Sequence, residues 1–169
     1  MAAIDDPLAQ RAQTYAARYE LNIGPPLGSG IHGSVFLLDS NEKPGRSALK
    51  IHKEAEAYRR ERDIYLRLAQ HHVTEVLGFH VPRLQVLNDE LMAIQMSVVT
   101  PPYVLDFAGA YLDEPPRFPD EVWQFWEQEK REQFGVRWPR VEEVLQSLKS
   151  FGVFMLDVSP SNIAFLERE

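Results

Sequence analysis

Cysteine does not occur in this 169-residue chain. Disulfides, thiolate metal sites and thiol nucleophiles are thereby excluded, and the composition suits a reducing, cytoplasmic setting. Apolar residues never run long enough to cross a bilayer, so no membrane is expected among the partners. The first twenty residues, Met1 to Glu20, carry early acids and no apolar centre, which is not the pattern of a secretory signal. Basic charge is scarce: 18 Lys and Arg against 25 Asp and Glu give a formal net charge of −7. A surface of that sign does not attract phosphate backbones, so nucleic acid is not an expected partner, although a local basic cleft stays compatible with one nucleotide. His71 and His72 have no acid or histidine at ligand spacing, which leaves them without a metal role.

What is present is an ordinary globular mixture, 44% apolar and 25% charged. Over residues 7–20, Leu8, Ala12, Tyr15, Ala16 and Tyr19 recur at helical spacing. The pattern then turns to strands, with a Gly-rich turn at Gly28–Gly33, a returning strand at Val35–Leu38, a turn over Ser40–Gly45 and a third strand at Ser47–Ile51. From Glu54 to Gln70 the spacing is helical again, placing Tyr58, Ile64, Tyr65 and Leu68 on one stripe that Glu54 and Glu61 interrupt. Leu84–Leu87 and Leu91–Val99 read as a strand pair turning at Asn88-Asp89 and ending at Thr100-Pro101-Pro102. Helices are expected over Glu121–Phe134 and from Pro139 to Gly152, the latter with Val141, Val144, Leu145, Leu148 and Phe151 on its core face. A short extended run, Val153–Leu156, leads into the loop Asp157–Asn162. Strands first and helices after the prolines make an α+β fold of two lobes. Residues 1–20 read as a helical extension, 21–100 as an antiparallel-sheet lobe with one main helix, and 101–169 as a short helical lobe.

Three elements carry chemistry. Gly28-x-Gly30-x-x-Gly33-x-Val35 sits on a strand–turn–strand, where glycines let backbone N–H groups approach phosphates. A dinucleotide fingerprint needs a helix directly after the glycines, and Val35-Phe36-Leu37-Leu38 is a strand, so that reading fails. Lys50 alternates with apolar neighbours on the third strand and, facing inward, needs an anion; Glu61, in the apolar stripe of the next helix, supplies one. Asp157 and Asn162 stand five apart in a polar loop.

In this order the elements resemble the protein kinase family from Leu21 onward. The resemblance implies that Gly28, Gly30, Gly33, Val35 and Lys50 bind ATP and that Glu61 pairs with Lys50. It implies further that Asp157 orients or deprotonates the attacking hydroxyl and that Asn162 holds Mg2+. The activity implied is a minimal serine/threonine-type kinase moving the ATP γ-phosphate to a protein hydroxyl. The alternative is a catalytically dead pseudokinase, a nucleotide-binding or scaffold module.

Departures from the family support that alternative. Met155 and Leu156 replace the His-Arg before the catalytic Asp, and Ser159 stands where a phosphate-binding lysine is usual. The chain stops seven residues after Asn162 with no Asp-Phe-Gly, so the carboxylate that would be the principal metal ligand is not found there. Glu167 and Glu169 read as a solvated terminus, and His32 as an exposed loop residue. Trp123, Phe125, Trp126 and Trp138 read as core or interface residues. With no later helices to cover the Val141–Phe151 stripe, either Trp123, Phe125, Trp126, Phe134 and Trp138 fold back over it or a second chain does, and a homodimer or a protein partner is the favoured expectation.

Overall fold

Asp6 opens the first helix, α1 (Pro7–Arg18): its side chain accepts the Leu8 N–H, and Pro7 occupies the first turn, where no amide hydrogen is needed. The computed structural model describes residues 6–42 and 45–167; Met1 to Asp5, Lys43 and Pro44 of the expected turn, Arg168 and Glu169 lie outside the described residues. Three strands follow, β1 (Asn22–Ser29), β2 (Gly33–Asp39) and β3 (Arg46–His52), and then helix α2 (Ala55–Gln70). Two two-residue strands, β4 (Glu75–Val76) and β5 (Phe79–His80), precede β6 (Leu84–Asn88) and β7 (Ala93–Ser97). The larger sheet has the order β1-β2-β3-β7-β6, antiparallel throughout.

Period-two alternation on β3 sorts its side chains between two cores. Leu49 and Ile51 join Leu8, Ala12, Tyr15 and Ala16 of α1 on one face. Ala48 joins Tyr58, Ile64, Tyr65 and Leu68 of α2 on the other, the face on which Lys50 and His52 also lie. The first helix is therefore packed into the sheet lobe: Tyr15 is fully buried with its hydroxyl on Gln95, and Arg11 donates to the carbonyls of His52 and Leu91.

Beyond Ser97 the chain forms β8 (Tyr103–Val104), β9 (Tyr111–Leu112), α3 (Asp120–Phe134), a short 3-10 turn (Gly135–Arg137), α4 (Trp138–Ser150), β10 (Val153–Phe154) and β11 (Ile163–Ala164). Gly152, at φ +80°, ends α4 in the left-handed region that glycine tolerates. A second sheet has the order β11-β8-β5-β4, and β9 pairs with β10. The molecule is thus α+β with mostly antiparallel strands, as the sequence pattern indicates.

The apolar stripe of α4 does not await a second chain. Val141, Val144, Leu145 and Leu148 are buried in one core with Leu68, Val76, Phe79, Val104 and Ile163. Phe134 and Trp138 complete that core, with Trp126 and Phe151 packed against it. The short strands β4, β5, β8 and β11, with Phe134, Trp138 and Trp126 folded back, do the covering expected of a second chain, which removes the reason for placing a partner there. Phe125, by contrast, is 72% exposed and takes no part in the core. Among the described residues no helix is long and apolar enough to cross a membrane.

Candidate functional site

Lys50 and Glu61, placed on facing sides of β3 and α2, meet as the sequence indicates: Lys50 Nζ lies 2.8 Å from Glu61 Oε2. Both are almost wholly buried, at 6% and 1% exposure, so each charge needs full compensation. Two further residues provide it. Lys50 Nζ also donates to Asp106 Oδ1 at 2.8 Å, and His52 Nε2 lies 2.6 Å from the same Glu61 Oε2. The second Glu61 oxygen accepts the backbone N–H of Phe107 at 3.1 Å, and the other His52 ring nitrogen faces the Met92 carbonyl at 3.2 Å.

The electrostatics follow from this geometry. Burial alone raises the pKa of Glu61, but Lys50 and His52 more than reverse it and hold the carboxyl at about 2. Burial lowers that of Lys50, and the carboxylates of Glu61 and Asp106 outweigh it, leaving the ammonium above its ordinary value. The pair is charged at neutral pH. Burial, then the same two carboxylates, push the Tyr65 phenol well above its usual range, so it stays protonated.

Asp106 reaches this network from the loop after β8, with φ at +69°. Phe107 anchors the loop: it is fully buried and meets Tyr65 edge-on at 5.5 Å. Two residues on, Gly109 passes close to the opposite wall, where an added Cβ would stand 3.4 Å from Asp157 Cβ and 3.8 Å from His32 Nε2. The small residue lets the two loops approach.

The Asp157 loop is braced from within. Asn162 donates through Nδ2 to the Asp157 carbonyl at 2.9 Å, which leaves its amide oxygen as an acceptor. The backbone N–H groups of Asn162 and Ile163 both bond to Ser159 O. Asp157 itself is exposed. Pairing of β11 with β8, and the Leu105 N–H on Asn162 O at 2.9 Å, tie this loop to the one carrying Asp106.

These residues line one cleft of about 600 Å³, with the turn Gly28–Gly33 and Val35 along one side. Gly28 and Gly30 have open space where side chains would be, whereas a Cβ on Gly33 would lie 2.1 Å from Ile51 O. Gly33 is therefore required by the β2–β3 pairing, while Gly28 and Gly30 border the open mouth. Lys53 pins the turn through the Gly30 carbonyl at 3.0 Å. His32 lines the cleft as well, half-buried and facing it, a correction to its reading as an exposed loop residue.

Two members of the site escaped the sequence reading. His52 shares a face of β3 with Lys50, two residues away, and that alternation is its signal. Asp106 begins an Asp-Phe-Ala-Gly stretch that lies upstream of Asp157, whereas a metal carboxylate was sought only downstream of Asn162. A carboxylate, that of Asp106, thus stands in the cleft beside Lys50. Glu167 is exposed and outside the cleft lining, and Glu169 lies outside the described residues. Among the described residues no group of three or more His, Asp or Glu side chains could hold a metal ion alone. No protein-family model, curated protein or solved structure matches this chain.

Proposed function

We propose that the chain is a kinase-like phosphotransferase that binds ATP with Mg2+ and moves the γ-phosphate to a hydroxyl, that of a protein serine or threonine. The observation that carries the reading is the Lys50 ammonium held between Glu61 and Asp106, 2.8 Å from each, in a cleft whose other side presents Asp157 and Asn162. An immobilised, charged lysine beside a glycine turn suits a phosphate: the turn offers N–H dipoles and the lysine offers charge. Glu61, itself fixed by His52 and the Phe107 N–H, keeps the ammonium from swinging away.

The donors suit magnesium. One carboxylate, Asp106, and one amide oxygen, Asn162, are hard ligands, and this ion commonly takes one or two carboxylates with phosphates and water. Bound there with the nucleotide, it would offset charge on the β- and γ-phosphates. Asp157, exposed and unencumbered by an ion pair, is placed to orient an acceptor hydroxyl and take its proton at a carboxylate oxygen. The scaffold alternative rests on a missing metal carboxylate and on the short helical lobe, and Asp106 weakens the first of these grounds.

Calorimetric titration with ATP, with and without Mg2+, tests the assignment. Lys50→Met is expected to weaken ATP binding by about ten-fold or more, the worth of one charge-assisted contact. Asp106→Asn is expected to abolish the gain in affinity that Mg2+ brings. Equal ATP affinity in wild type and Lys50→Met would sink the reading. Tight binding without transfer of labelled phosphate, with Mg2+ or Mn2+, would replace it with the scaffold.

A further inference from the structure

A second cavity, of about 370 Å³, lies between α3, α4 and the segment leading into the Asp157 loop. That size falls within the roughly 300–1,000 Å³ of small-ligand sites. It shares no lining residue with the Lys50 cleft. Its walls bring together three indoles, Trp123, Trp126 and Trp138, with the carboxylates Glu127 and Glu142. Trp126 stands at 81° to Trp123 and at 71° to Trp138, with ring centroids 6.1 Å apart in each pair. Rings so inclined bound a space from several sides and do not make one flat platform for a planar guest. Indole carries the most negative π-face among side chains, so such a space favours a weakly hydrated cation.

The charges are arranged in the same sense. Glu127 is bonded to Arg131 and Glu143 to Arg140, but half-buried Glu142 makes no hydrogen bond or ion pair among the described residues. Glu142 follows Trp138 by four positions on α4 and so shares its face. The one cation in the lining, Lys149, lies three turns beyond Trp138, roughly 16 Å along the axis. At the indole end Glu142 thus has no contact partner and feels Arg131, already paired with Glu127, only at longer range, while the base in the lining is at the far end.

We propose that this cavity binds an alkylated organic cation, of the quaternary or methylated ammonium class, through Trp123, Trp126, Trp138 and Glu142. Methyl groups spread the charge over apolar surface, which matches walls completed by Leu145 and Phe154. A bare ammonium, more strongly hydrated, gives up more on entering. The site adjoins the Asp157 loop: Trp126 Nε1 donates to the Leu156 carbonyl at 3.1 Å, one residue before Asp157. The proposal does not depend on the phosphotransfer reading, because its ligand touches none of the Lys50 cleft.

The test is a titration of the full chain with choline, without nucleotide, followed by tryptophan emission and calorimetry. Choline is expected to saturate the site, and its neutral isostere 3,3-dimethylbutan-1-ol to bind about ten-fold more weakly or worse, since charge is the main difference. Glu142→Gln, which keeps the shape, is expected to weaken choline about three- to ten-fold and leave the isostere unaffected. Trp123→Leu is expected to weaken choline at least about five-fold, with circular dichroism confirming that the variant is folded. Equal affinity for the isostere, unchanged choline affinity in Glu142→Gln, or no saturable response up to about 10 mM choline overturns the proposal.

Discussion

The two cavities back onto consecutive residues, Leu156 lining one and Asp157 the other, yet they are held together by different physics. In the Lys50 cleft each buried charge is answered by a partner far along the chain: Asp106 for Lys50, and the Phe107 N–H for Glu61. In the tryptophan cavity the lining comes from residues 115–156 alone, and the groups that shape it are large apolar rings. One indole N–H there is bonded to a backbone carbonyl, and that of Trp138 is buried with no partner. A site organised by paired charges fails all at once, because removing one member strands the others in a low-dielectric interior. A site organised by ring packing loses contacts in smaller steps.

Substitutions can break this contrast or sharpen it. The largest effect is expected in turnover. Asp157→Asn should lower phosphate transfer by roughly 10²–10⁴-fold, the usual worth of a positioned base, with ATP affinity changed only a few-fold. Because Asp157 is exposed, its melting temperature should match that of wild type. Labelled-phosphate transfer measures the first and thermal melting the second; surviving activity would assign the base elsewhere.

Next in size is the stability of the charged cluster. Glu61→Ala leaves Lys50 and His52 buried without their shared carboxylate, and should cost about 3–5 kcal/mol in chemical denaturation. A cost below about 1 kcal/mol would show that the cluster does not organise the cleft.

The same carboxylate predicts a pH window. Glu61 is held at about 2 in the folded protein against an ordinary value of 4.5, so the unfolded chain binds the extra proton between those values. Its stabilisation is complete above about 4.5 and is lost as pH falls through about 2. Lys50 works in the opposite direction: raised above 10.5, it stabilises below that value and ceases to as pH rises through its folded pKa. Thermal melts of wild type and Glu61→Gln should therefore converge as the buffer is taken from pH 5 towards pH 2. A gap that stays constant over that range would contradict the assignment.

The smallest effect is expected on the aromatic side. Trp126→Phe keeps a ring and removes only the indole N–H on Leu156, whose carbonyl still accepts the Val158 N–H, so it should cost about 1 kcal/mol or less in denaturation. A loss as large as that of Glu61→Ala would erase the distinction between the two cavities.

Much of the frame was legible in the sequence because it repeats. The stripes of α1, α2 and α4 recur every three or four residues, and the glycine turn and β3 stand out against them. Lys50 and Glu61 were legible because a charge inside an apolar pattern needs an opposite charge. The strands β4, β5, β8, β9, β10 and β11 have two residues each, too few for any period to register, and they decide how α4 is covered. Asp106 was hidden by order: its Asp-Phe-Ala-Gly stretch comes before the Asp157 loop, and only the folded chain sets them side by side. Trp126 and Trp138 were rightly read as packing residues, but a stripe does not disclose that rings lining a core also line a cavity.

The pairing of β8 with β11 has a consequence for how such a chain can vary. Val104 and Ile163 are partners at the base of a single excursion that carries α3 and α4. Asp106 stands two residues inside one foot, and Asp157 six residues inside the other. Because the feet are clamped to each other, the span between them behaves as a closed loop, whose entropic cost grows only with the logarithm of its length. Doubling such a loop costs about 0.6 kcal/mol. Length changes confined to the largely exposed stretch 113–119 can then be absorbed while the two carboxylates keep their spacing, whereas α4 is held by the common core. The clamp thus separates the spacing of the two acids from the length of the exposed stretch that joins their loops.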